Sequence, residues 1–354
     1  MTSEYRTGIG VMSGTSLDGL DLAWCTFTEE NGRWRYQIER AVTVPYDVAF
    51  RKKLALATEM SALAYAQLDI ALGTFIADRI NEWIQGDGKP DFIASHGHTV
   101  FHQPAEGLTT QIGSGAVIAA RTGIVTVCDF RTGDVALGGQ GAPLVPIGDE
   151  LLFGQYDACL NLGGFCNISF RQGGQRVAFD IAPCNMALNF LAQRLGFPYD
   201  HEGHIANTGS IVTEMLNELN TLDYYQHSYP KSLGKEWFEG EFLPIIEKHL
   251  TPDNTPDCLR TIVEHIAIQV SAAAPSGNAS MMVSGGGALN NFLVERIRGL
   301  WPGNVIIPDA LTIEYKEALI FAFLGMLRLQ GKANCLASVT GAKRDNCGGA
   351  VYFV

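Results

Sequence analysis

The sequence has few positive charges and no long apolar run. Lys and Arg total 25 against 37 Asp and Glu in 354 residues, which gives a formal net charge of −12. A chain this acidic repels a polyanion, so we expect no nucleic-acid partner. Residues 1–10 lack the apolar core of a signal peptide, and no stretch reaches the ~18 apolar residues that a membrane span needs. We therefore expect a cytoplasmic protein without a membrane partner.

Three common motifs are also absent. The eight cysteines form no C-x-x-C pair, and several lie in apolar surroundings, so we expect reduced thiols in the core. Neither G-x-x-x-x-G-K-[ST] nor G-x-G-x-x-G occurs. The sequence therefore indicates neither a P-loop nor a Rossmann dinucleotide site.

A repeated order of elements is present instead. Apolar residues make up 47% of the chain, and its length predicts about two domains. The succession β-β-β-α-β-α-β occurs twice, which predicts two α/β domains with mixed sheets. In the first half we expect strands near 7–12, 20–28, 33–43, 91–95 and 124–130, helices near 61–85 and 114–121, and a hairpin near 99–112. In the second half we expect strands near 157–163, 166–171, 176–180, 281–284 and 305–308, and helices near 184–195, 210–222, 256–274, 289–300 and 316–330.

Glycine and proline interrupt every periodicity in residues 131–150. We place the domain boundary there, with an N-terminal domain at 1–145 and a C-terminal domain at 146–354. A loop of this length in a compact enzyme is usually functional, so we also expect it to line the active site.

Glycine-rich turns stand where phosphates could bind. Residues 10–19 and 161–167 each form such a turn within a predicted hairpin, and glycine lets a backbone N–H approach a phosphate oxygen. A tight hairpin with positive φ is the alternative for one turn alone. Residues 284–290 add a third glycine cluster, which joins a strand directly to a helix, where a nucleotide can lie against the backbone.

Together these three elements resemble the phosphate-1, phosphate-2 and adenosine elements of the actin, hexokinase and heat-shock-ATPase superfamily. The resemblance implies two actin-like (ribonuclease H-like) domains with mixed β-sheets flanking an active-site cleft. It also implies ATP as ligand, bound by Gly14, Thr15, Ser16, Leu17, Asp18, Gly19, Leu20, Asp21, Gly163, Gly164, Asn167, Gly285, Gly286, Gly287 and Asn290.

Nine stretches, in order along the whole chain, are similar to the anhydro-N-acetylmuramic acid kinase family. They are GVMSGTSLDGLD (10–21), SHGHT (95–99), QIG (111–113), DFRTGDVALGGQGAPLVP (129–146), NLGGFCNIS (161–169), PKSLGKEWF (230–238), VSGGGALN (283–290), EALIFAFL (317–324) and VTGA (339–342). The resemblance implies a cell-wall recycling enzyme that uses ATP and Mg²⁺ to open the 1,6-anhydro bridge of its sugar with water and to phosphorylate O6. A homodimer is implied as well.

The same resemblance implies roles for single residues. Asp180 would be the general base and Glu317 a second catalytic carboxylate. Mg²⁺ would come with ATP, without direct side-chain ligands, near Asp18 and Asp21. Contacts with the small-molecule sugar would come from His96, Thr99, Arg131, Asp134 and Asn185.

Plainer roles compete with several of these, and Asp21 could be structural because it follows the turn on a strand. Asp180 could cap the helix predicted from Cys184, Glu317 could sit at a helix N-terminus, and Arg131 and Asp134 could form a surface ion pair. His96, His98 and His102 could bind zinc, although no Cys, Asp or Glu nearby completes a site. The stretch Asp200, His201, Glu202 and His204 is expected to form a hydrogen-bonded turn.

Two departures from the family pattern concern the segment after Asp180. Ile181-Ala182-Pro183-Cys184-Asn185 replaces a Gly-Pro-Gly-Asn pattern, and Asn189 replaces a common aspartate. They leave open which sugar is accepted. A kinase of another amino sugar or hexose, or a non-catalytic actin-like protein gated by nucleotide, remains an alternative.

Overall fold

The computed structural model describes residues 6–14, 17, 19–86 and 88–354. Its strands are β1 (Thr7–Ser13), β2 (Gly19–Glu30), β3 (Arg33–Pro45), β4 (Phe92–Ser95), β5 (His98–Gln103), β6 (Leu108–Ile112), β7 (Val125–Cys128), β8 (Ala158–Leu162), β9 (Phe165–Gln172), β10 (Gln175–Pro183), β11 (Ser280–Ser284), β12 (Asn304–Ile306) and β13 (Ala350–Tyr352). Its α-helices are α1 (Val48–Ala55), α2 (Ala62–Trp83), α3 (Gly115–Thr122), α4 (Thr132–Ala136), α5 (Val145–Leu151), α6 (Asn185–Arg194), α7 (His204–Thr208), α8 (Thr213–Asn220), α9 (Lys235–Trp237), α10 (Leu243–His249), α11 (Thr255–Ala273), α12 (Asn291–Leu300), α13 (Ala310–Leu329) and α14 (Ala337–Thr340). Short 3₁₀ turns lie at Ala57–Glu59, Pro104–Glu106, His201–Gly203, Asp223–Gln226 and Gly286–Leu289, and a π-helical turn spans Phe238–Phe242. Within this described part of the chain, no helix is both long enough and apolar enough to cross a membrane.

Contacts divide the chain into two compact units. The first unit runs to Phe153 and resumes at Tyr315, and the second spans Gly154–Glu314. This division differs from the predicted domains 1–145 and 146–354, because the last forty residues belong with the first unit. The helix α13 carries a residue with non-helical torsion angles, Tyr315, at the point where the division falls.

The sheet of the first unit has the order β13-β7-β4-β1-β2-β3. The strands β1, β2 and β3 pair antiparallel, while β1, β4 and β7 run parallel. Strand β13 adds to the edge by antiparallel pairing with β7. Helix α2 lies within the range predicted near 61–85, follows the N-cap Ser61, and buries a stripe of Leu68, Leu72, Ile76 and Ile80 in the core of this unit.

Helix α13 explains why residues 315–354 join the first unit. It crosses β1 so closely that a Cβ on Gly10 would overlap the carbonyl oxygen of Ala318. A buried ion pair between Lys316 and Asp149, 2.8 Å long, also ties α13 to α5. These contacts join residues far apart in the sequence, so the spacing of apolar residues along the chain could not predict them.

The second unit repeats the central plan of the first. Its sheet has the order β10-β9-β8-β11-β12, in which β8, β9 and β10 pair antiparallel and β8, β11 and β12 run parallel. Both sheets therefore contain three antiparallel strands followed by two parallel ones. This arrangement confirms the predicted actin-like α/β class with mixed sheets and the predicted duplication.

Several elements had no sequence signal strong enough to predict them. The segment 131–150, expected to be irregular, contains the short helices α4 and α5. The three-residue strand β13 was also missed, because a strand this short depends on its partner β7. Helix α12 starts at Asn291, preceded by a 3₁₀ turn, rather than at 289.

Candidate functional site

The first glycine-rich turn connects β1 to β2 in the first unit. Gly14 accepts a backbone hydrogen bond from Leu17, whose φ is 58°. Leu20 is fully buried and pairs with Ser13, so its side chain belongs to the core. Thr15, Ser16 and Asp18, which were predicted to bind ATP, lie outside the described residues. The antiparallel pairing of β1 with β2 confirms the predicted hairpin, and a role of its turn in ATP binding stays a prediction.

Asp21 and Gly19 lie just after this turn, on β2. Asp21 is half-buried, and its Oδ1 accepts a hydrogen bond of 2.6 Å from the Thr43 hydroxyl on β3. Gly19 pairs with Pro45 at the end of the same ladder. The register thus holds the Asp21 carboxylate in place at the turn end of the sheet.

His96 and Arg131 form a directed pair in the first unit. The His96 ring donates from Nδ1 to the Gly97 carbonyl (2.9 Å), and its Nε2 accepts from Arg131 Nε (3.1 Å) and Nη2 (2.8 Å). Burial, followed by the Arg131 charge, holds the pKa of His96 well below 6.5, so the ring is neutral. Because His96 is only 5% exposed and both of its ring nitrogens are bonded, its role is to position Arg131.

Arg131 itself is half-buried, and its Nη1 also donates to the Gly141 carbonyl at 2.6 Å. Burial lowers its pKa to about 10, and the nearby Glu317 carboxylate opposes that fall. The guanidinium therefore stays charged at neutral pH. Glu317 has solvent-exposed surface. Desolvation by the surrounding protein nevertheless raises the pKa of its carboxyl; the Arg131 charge opposes this rise, and the Asp21 charge adds to it.

Asp134, predicted to contact sugar, is a buried hub. It has no exposed surface, and its Oδ2 accepts from the Gly141 amide at 2.8 Å. Its Oδ1 accepts from Cys335 Sγ (3.1 Å), Thr340 Oγ1 (2.9 Å) and Asn346 Nδ2 (2.8 Å). Both carboxylate oxygens accept hydrogen bonds from the protein, and neither is accessible to a ligand in this conformation. Asp134 therefore holds the glycine-rich segment against residues 335–346. The alternative of a surface ion pair with Arg131 is wrong, because Asp134 is fully buried.

The hairpin β5–β6 contains Thr99 and the two remaining histidines of the suggested zinc site. His98 Nδ1 is 3.2 Å from Ser13 Oγ, and His102 Nδ1 is 3.2 Å from Thr109 Oγ1. Burial lowers the pKa of both rings. Among the residues that the structure describes, no three His, Cys, Asp or Glu side chains are grouped to hold a metal ion. Thr99 is half-buried beside Gln111, and His96, Gly97 and Gln111 line a cavity of about 270 Å³.

In the second unit the second glycine-rich turn connects β8 to β9. The N-terminus of α6 anchors this turn, because the backbone N–H groups of Cys184 and Met186 donate to the Gly164 carbonyl. Asn185 adds a bond of 2.9 Å from Nδ2 to the Leu162 carbonyl. Asn185, predicted to contact sugar, therefore braces this turn. Cys184 and Ala182, two departures from the family pattern, are fully buried, and Asn189 is half-buried on α6.

A polar row crosses the three antiparallel strands of this unit. Asn161 on β8 pairs with Asn167 on β9, and Asn167 pairs with Asp180 on β10. Directly paired residues present their side chains on one face of a sheet, so these three share a face. Asn161 was not among the predicted site residues. Its position at the start of the NLGGFCN motif, six residues before Asn167, was the signal that could have found it.

Asp180 lies at a bulge of β10 and is half-buried. Its Oδ2 accepts a hydrogen bond of 2.8 Å from the Leu233 amide. Burial raises the pKa of its carboxyl above 3.8, and the Leu233 N–H lowers it again in part. The alternative role as a cap is wrong, because Cys184 is the N-cap of α6 and no side chain caps it.

The third glycine cluster follows β11 and packs beside the second turn. Gly285 has φ of 80°, and a Cβ there would lie 2.5 Å from Asn161 Oδ1. A Cβ on Gly287 would lie 2.7 Å from the Leu162 side chain, whereas Gly286 is exposed. Asn290 is 8% exposed and caps α12 through Oδ1, and its predicted role in ATP binding stays a prediction.

The polar stretch near Asp200 forms a turn, as expected. The Asp200 carboxylate accepts from the backbone N–H groups of Ile205 and Ala206, at 2.8 and 2.9 Å. These groups belong to the first turn of α7, so Asp200 stabilises a helix start.

The whole sequence matches known proteins closely enough to show its family. Residues 6–354 match the family model described as anhydro-N-acetylmuramic acid kinase. The chain is 36% identical over 372 residues to the anhydro-N-acetylmuramic acid kinase of Vibrio cholerae, and the match covers 99% of each chain.

Solved structures are more distant. One is the activator of the 2-hydroxyisocaproyl-CoA dehydratase from Clostridium difficile with bound ADPNP, at 10% identity and a TM-score of 0.45, covering 92% of this chain and 96% of that one. Another is a ROK family glucokinase from Streptomyces griseus in complex with glucose and AMPPNP, at 14% identity and a TM-score of 0.39, covering 89% and 97%. Likeness at this level says nothing about ligands. On the sequence matches, this chain belongs to the anhydro-N-acetylmuramic acid kinase family.

Proposed function

We propose that this protein is a cytoplasmic, ATP-dependent kinase that opens the 1,6-anhydro ring of 1,6-anhydro-N-acetylmuramic acid and phosphorylates O6, a step of cell-wall recycling. Membership of the family supports the substrate and the reaction type. The observation that carries the mechanism is the Asp180 carboxylate, half-buried, with Oδ2 held by the Leu233 amide. A carboxylate in this setting suits a general base.

In the proposed reaction, water attacks the anomeric carbon and gives a proton to Asp180. The bond from that carbon to the bridge oxygen breaks. The bridge oxygen, which becomes O6, forms a bond to the γ-phosphorus as the bond between that phosphorus and ADP breaks. The products are N-acetylmuramate 6-phosphate and ADP, and Asp180 later releases its proton to solvent. Burial, which raises the pKa of Asp180, makes it a better base than an exposed aspartate.

The glycine elements fit the phosphates and the nucleoside of ATP. Gly285 and Gly287 have no Cβ, which lets the backbone of this junction pack directly against Asn161 and Leu162. The Gly163–Gly164 turn lies beside them, braced by Asn185. Mg²⁺, when bound with ATP, would neutralise phosphate charge, and the half-buried Asp21 carboxylate offers the oxygen chemistry that suits its water shell.

Residues of the first unit are suited to a polar sugar. Arg131 is a charged donor whose direction is set by His96 and the Gly141 carbonyl. Glu317 offers a carboxylate beside it, for charge near the sugar ring. Thr99 and the cavity lined by His96 and Gln111 add hydroxyl and amide groups. The homodimer implied by the sequence stays a prediction.

The test is mass spectrometry of the product made from 1,6-anhydro-N-acetylmuramic acid, ATP and Mg²⁺ in ¹⁸O-water. We expect one ¹⁸O at the anomeric hydroxyl and none in the phosphate. Unlabelled N-acetylmuramate 6-phosphate kept in the same water measures exchange without enzyme. Phosphorylation of N-acetylglucosamine at a higher rate, or a product without ¹⁸O beyond that exchange, would contradict the proposal.

A further inference from the structure

The motif PKSLGKEWF, which contains Leu233, lies against Asp180 through more than that one amide. The Lys231 carbonyl accepts from the Asp180 amide at 3.3 Å, and the Leu233 amide donates to Asp180 Oδ2 at 2.8 Å. Strand β10 is at the edge of its sheet, with β9 on one side. Residues 231–233 therefore cover its open side at Asp180.

A third contact comes from Tyr224, just before this motif. Its hydroxyl donates to the backbone carbonyl of Asp180 at 2.6 Å. Tyr224 is 7% exposed and packs against Trp237, with ring centroids 5.3 Å apart. Lys231 closes the arrangement, since its Nζ lies 4.5 Å from the centre of the Tyr224 ring and donates to the Tyr224 carbonyl.

The amide, the carbonyl and one carboxylate oxygen of Asp180 are thus bound by Lys231, Tyr224 and Leu233, three residues that we call the strap. In the described part of the chain, the other oxygen, Oδ1, accepts no hydrogen bond from protein. A carboxylate held by one oxygen cannot rotate freely, so Oδ1 keeps one direction. A general base needs a fixed direction, because misplacement by about 1 Å can cost a hundredfold in rate.

We propose that the strap positions Asp180 for proton abstraction, with the Tyr224 hydroxyl as its key side-chain group. This inference rests on the proposed function, in which Asp180 takes a proton from water. Tyr224 is a positioning residue, because it acts on the backbone of Asp180. Burial and the Asp180 charge raise the pKa of Tyr224, so its hydroxyl remains a donor throughout the working pH range.

The chain offers a matched control for this role. The next residue, Tyr225, is also aromatic and also bonded, but its hydroxyl pairs with His265 Nε2 at 2.8 Å. Tyr224→Phe and Tyr225→Phe each delete one hydroxyl and keep the ring. A structural role alone would make the two variants similar in activity.

The experiment compares wild type, Tyr224→Phe and Tyr225→Phe by steady-state kinetics across pH. We expect kcat of Tyr224→Phe to fall about tenfold to a hundredfold with KM for both substrates little changed. The loosened carboxylate should also lose its hydrogen bond from the Leu233 N–H. Because that N–H lowers the pKa of Asp180, its loss should move the acid limb of kcat to higher pH. Tyr225→Phe should keep the wild-type kcat and acid limb. Equal kcat and equal acid limbs in the two variants would overturn the proposal, and so would a fall in kcat with an unmoved acid limb.

A second measurement needs no sugar and separates this inference from the proposed function. Amide hydrogen exchange of residues 231–234 should be faster in Tyr224→Phe than in wild type and Tyr225→Phe, because the Leu233 N–H loses its carboxylate partner. Absence of wild-type turnover would defeat the proposed function while leaving this comparison intact. Unchanged exchange in Tyr224→Phe would overturn the strap whatever the substrate.

Discussion

Asp180 and Asp134 are both partly or wholly enclosed carboxylates, but they differ in how far their oxygens are used. Asp134 is fully buried and accepts four hydrogen bonds through its two oxygens. Asp180 is half-buried and accepts one, from Leu233. A base must keep an oxygen available, so the first carboxylate is suited to holding structure and the second to proton transfer.

The Asp180→Asn variant tests the proposed base. We expect it to fold and to bind both substrates, and to lose about 10²–10⁴-fold in turnover, because an amide of the same shape cannot take a proton. Stopped-flow or steady-state phosphate transfer, with substrate binding by calorimetry, measures both parts. Turnover near that of wild type would show that the base lies elsewhere, and Glu317→Gln would be the next variant to measure.

At the scale of elements, the junction from β11 to α12 depends on glycine for two reasons. Gly285 has φ of 80°, and a Cβ there would lie 2.5 Å from Asn161 Oδ1 and 3.0 Å from the Leu162 backbone. Any side chain would therefore push the junction away from the Gly163–Gly164 turn. The two glycine elements are expected to bind ATP only in register with each other.

We predict that Gly285→Ala weakens ATP binding about tenfold or more, which corresponds to ~1.4 kcal/mol. Gly277→Ala is the matched control, because Gly277 has φ of 89° and nothing within 4 Å of an added Cβ. Both variants carry the cost of alanine at positive φ, and only the first disturbs the junction. Isothermal titration with ATP and Mg²⁺ gives the affinities. Equal affinities in the two variants would remove this junction from the nucleotide site.

The segment 131–150 is held in place by residues near the C-terminal end of the chain. Its Asp134 hub reaches Cys335, Thr340 and Asn346, which are about two hundred residues away in the chain. Arg131, three residues earlier, is meanwhile fixed by His96 and the Gly141 carbonyl. The motifs DFRTGDVALGGQGAPLVP and VTGA therefore support one another structurally.

Asp134→Asn should lower the free energy of unfolding by about 2–3 kcal/mol, because its amide would face donors inside the hub. Asp129→Asn is the control. Asp129 is exposed and accepts a hydrogen bond from Thr132, so Asp129→Asn should lower the free energy of unfolding by less than about 1 kcal/mol. Denaturant unfolding measures both. A higher KM for the sugar with unchanged stability would instead support the direct sugar contact expected from the sequence.

At the scale of the whole molecule, enclosed neutral histidines make stability depend on pH. His265 in the second unit has no exposed surface, accepts from Tyr225 and donates to Asn220 Oδ1 at 2.7 Å. Burial lowers its pKa from 6.5 to about 3. The unfolded chain therefore binds a proton below pH 6.5 that the folded chain does not bind until about pH 3.

Stability should accordingly fall as pH drops below 6.5, by about 2 kcal/mol from His265 alone at pH 5. His265→Gln should be less stable than wild type at pH 7.5 but should lose less between pH 7.5 and pH 5. Exposed His201, changed to Gln, provides the comparison. Urea midpoints of the second-unit transition are the measurement, and an equal pH dependence in wild type and His265→Gln would contradict the prediction.

Much of the fold followed from local sequence patterns. The strands β1–β3 and β8–β10 lie within a few residues of their predicted ranges, and α2 lies within the helix predicted near 61–85. The glycine turns were found where the hairpins require them. These features depend on neighbours a few residues apart, and such neighbours are visible in the sequence.

The tertiary structure alone decided which predicted site residues are available. Residues 315–354 return to the first unit because α13 packs on β1 through Gly10. Asp134 is enclosed by groups 201 to 212 residues later in the chain, and Asp180 is held by an amide 53 residues later. The sequence by itself determined the family, the duplicated α/β plan and the residue types at the site. Burial and hydrogen bonding between distant segments decided which carboxylate oxygen stays free, because those contacts exist only once the chain has folded.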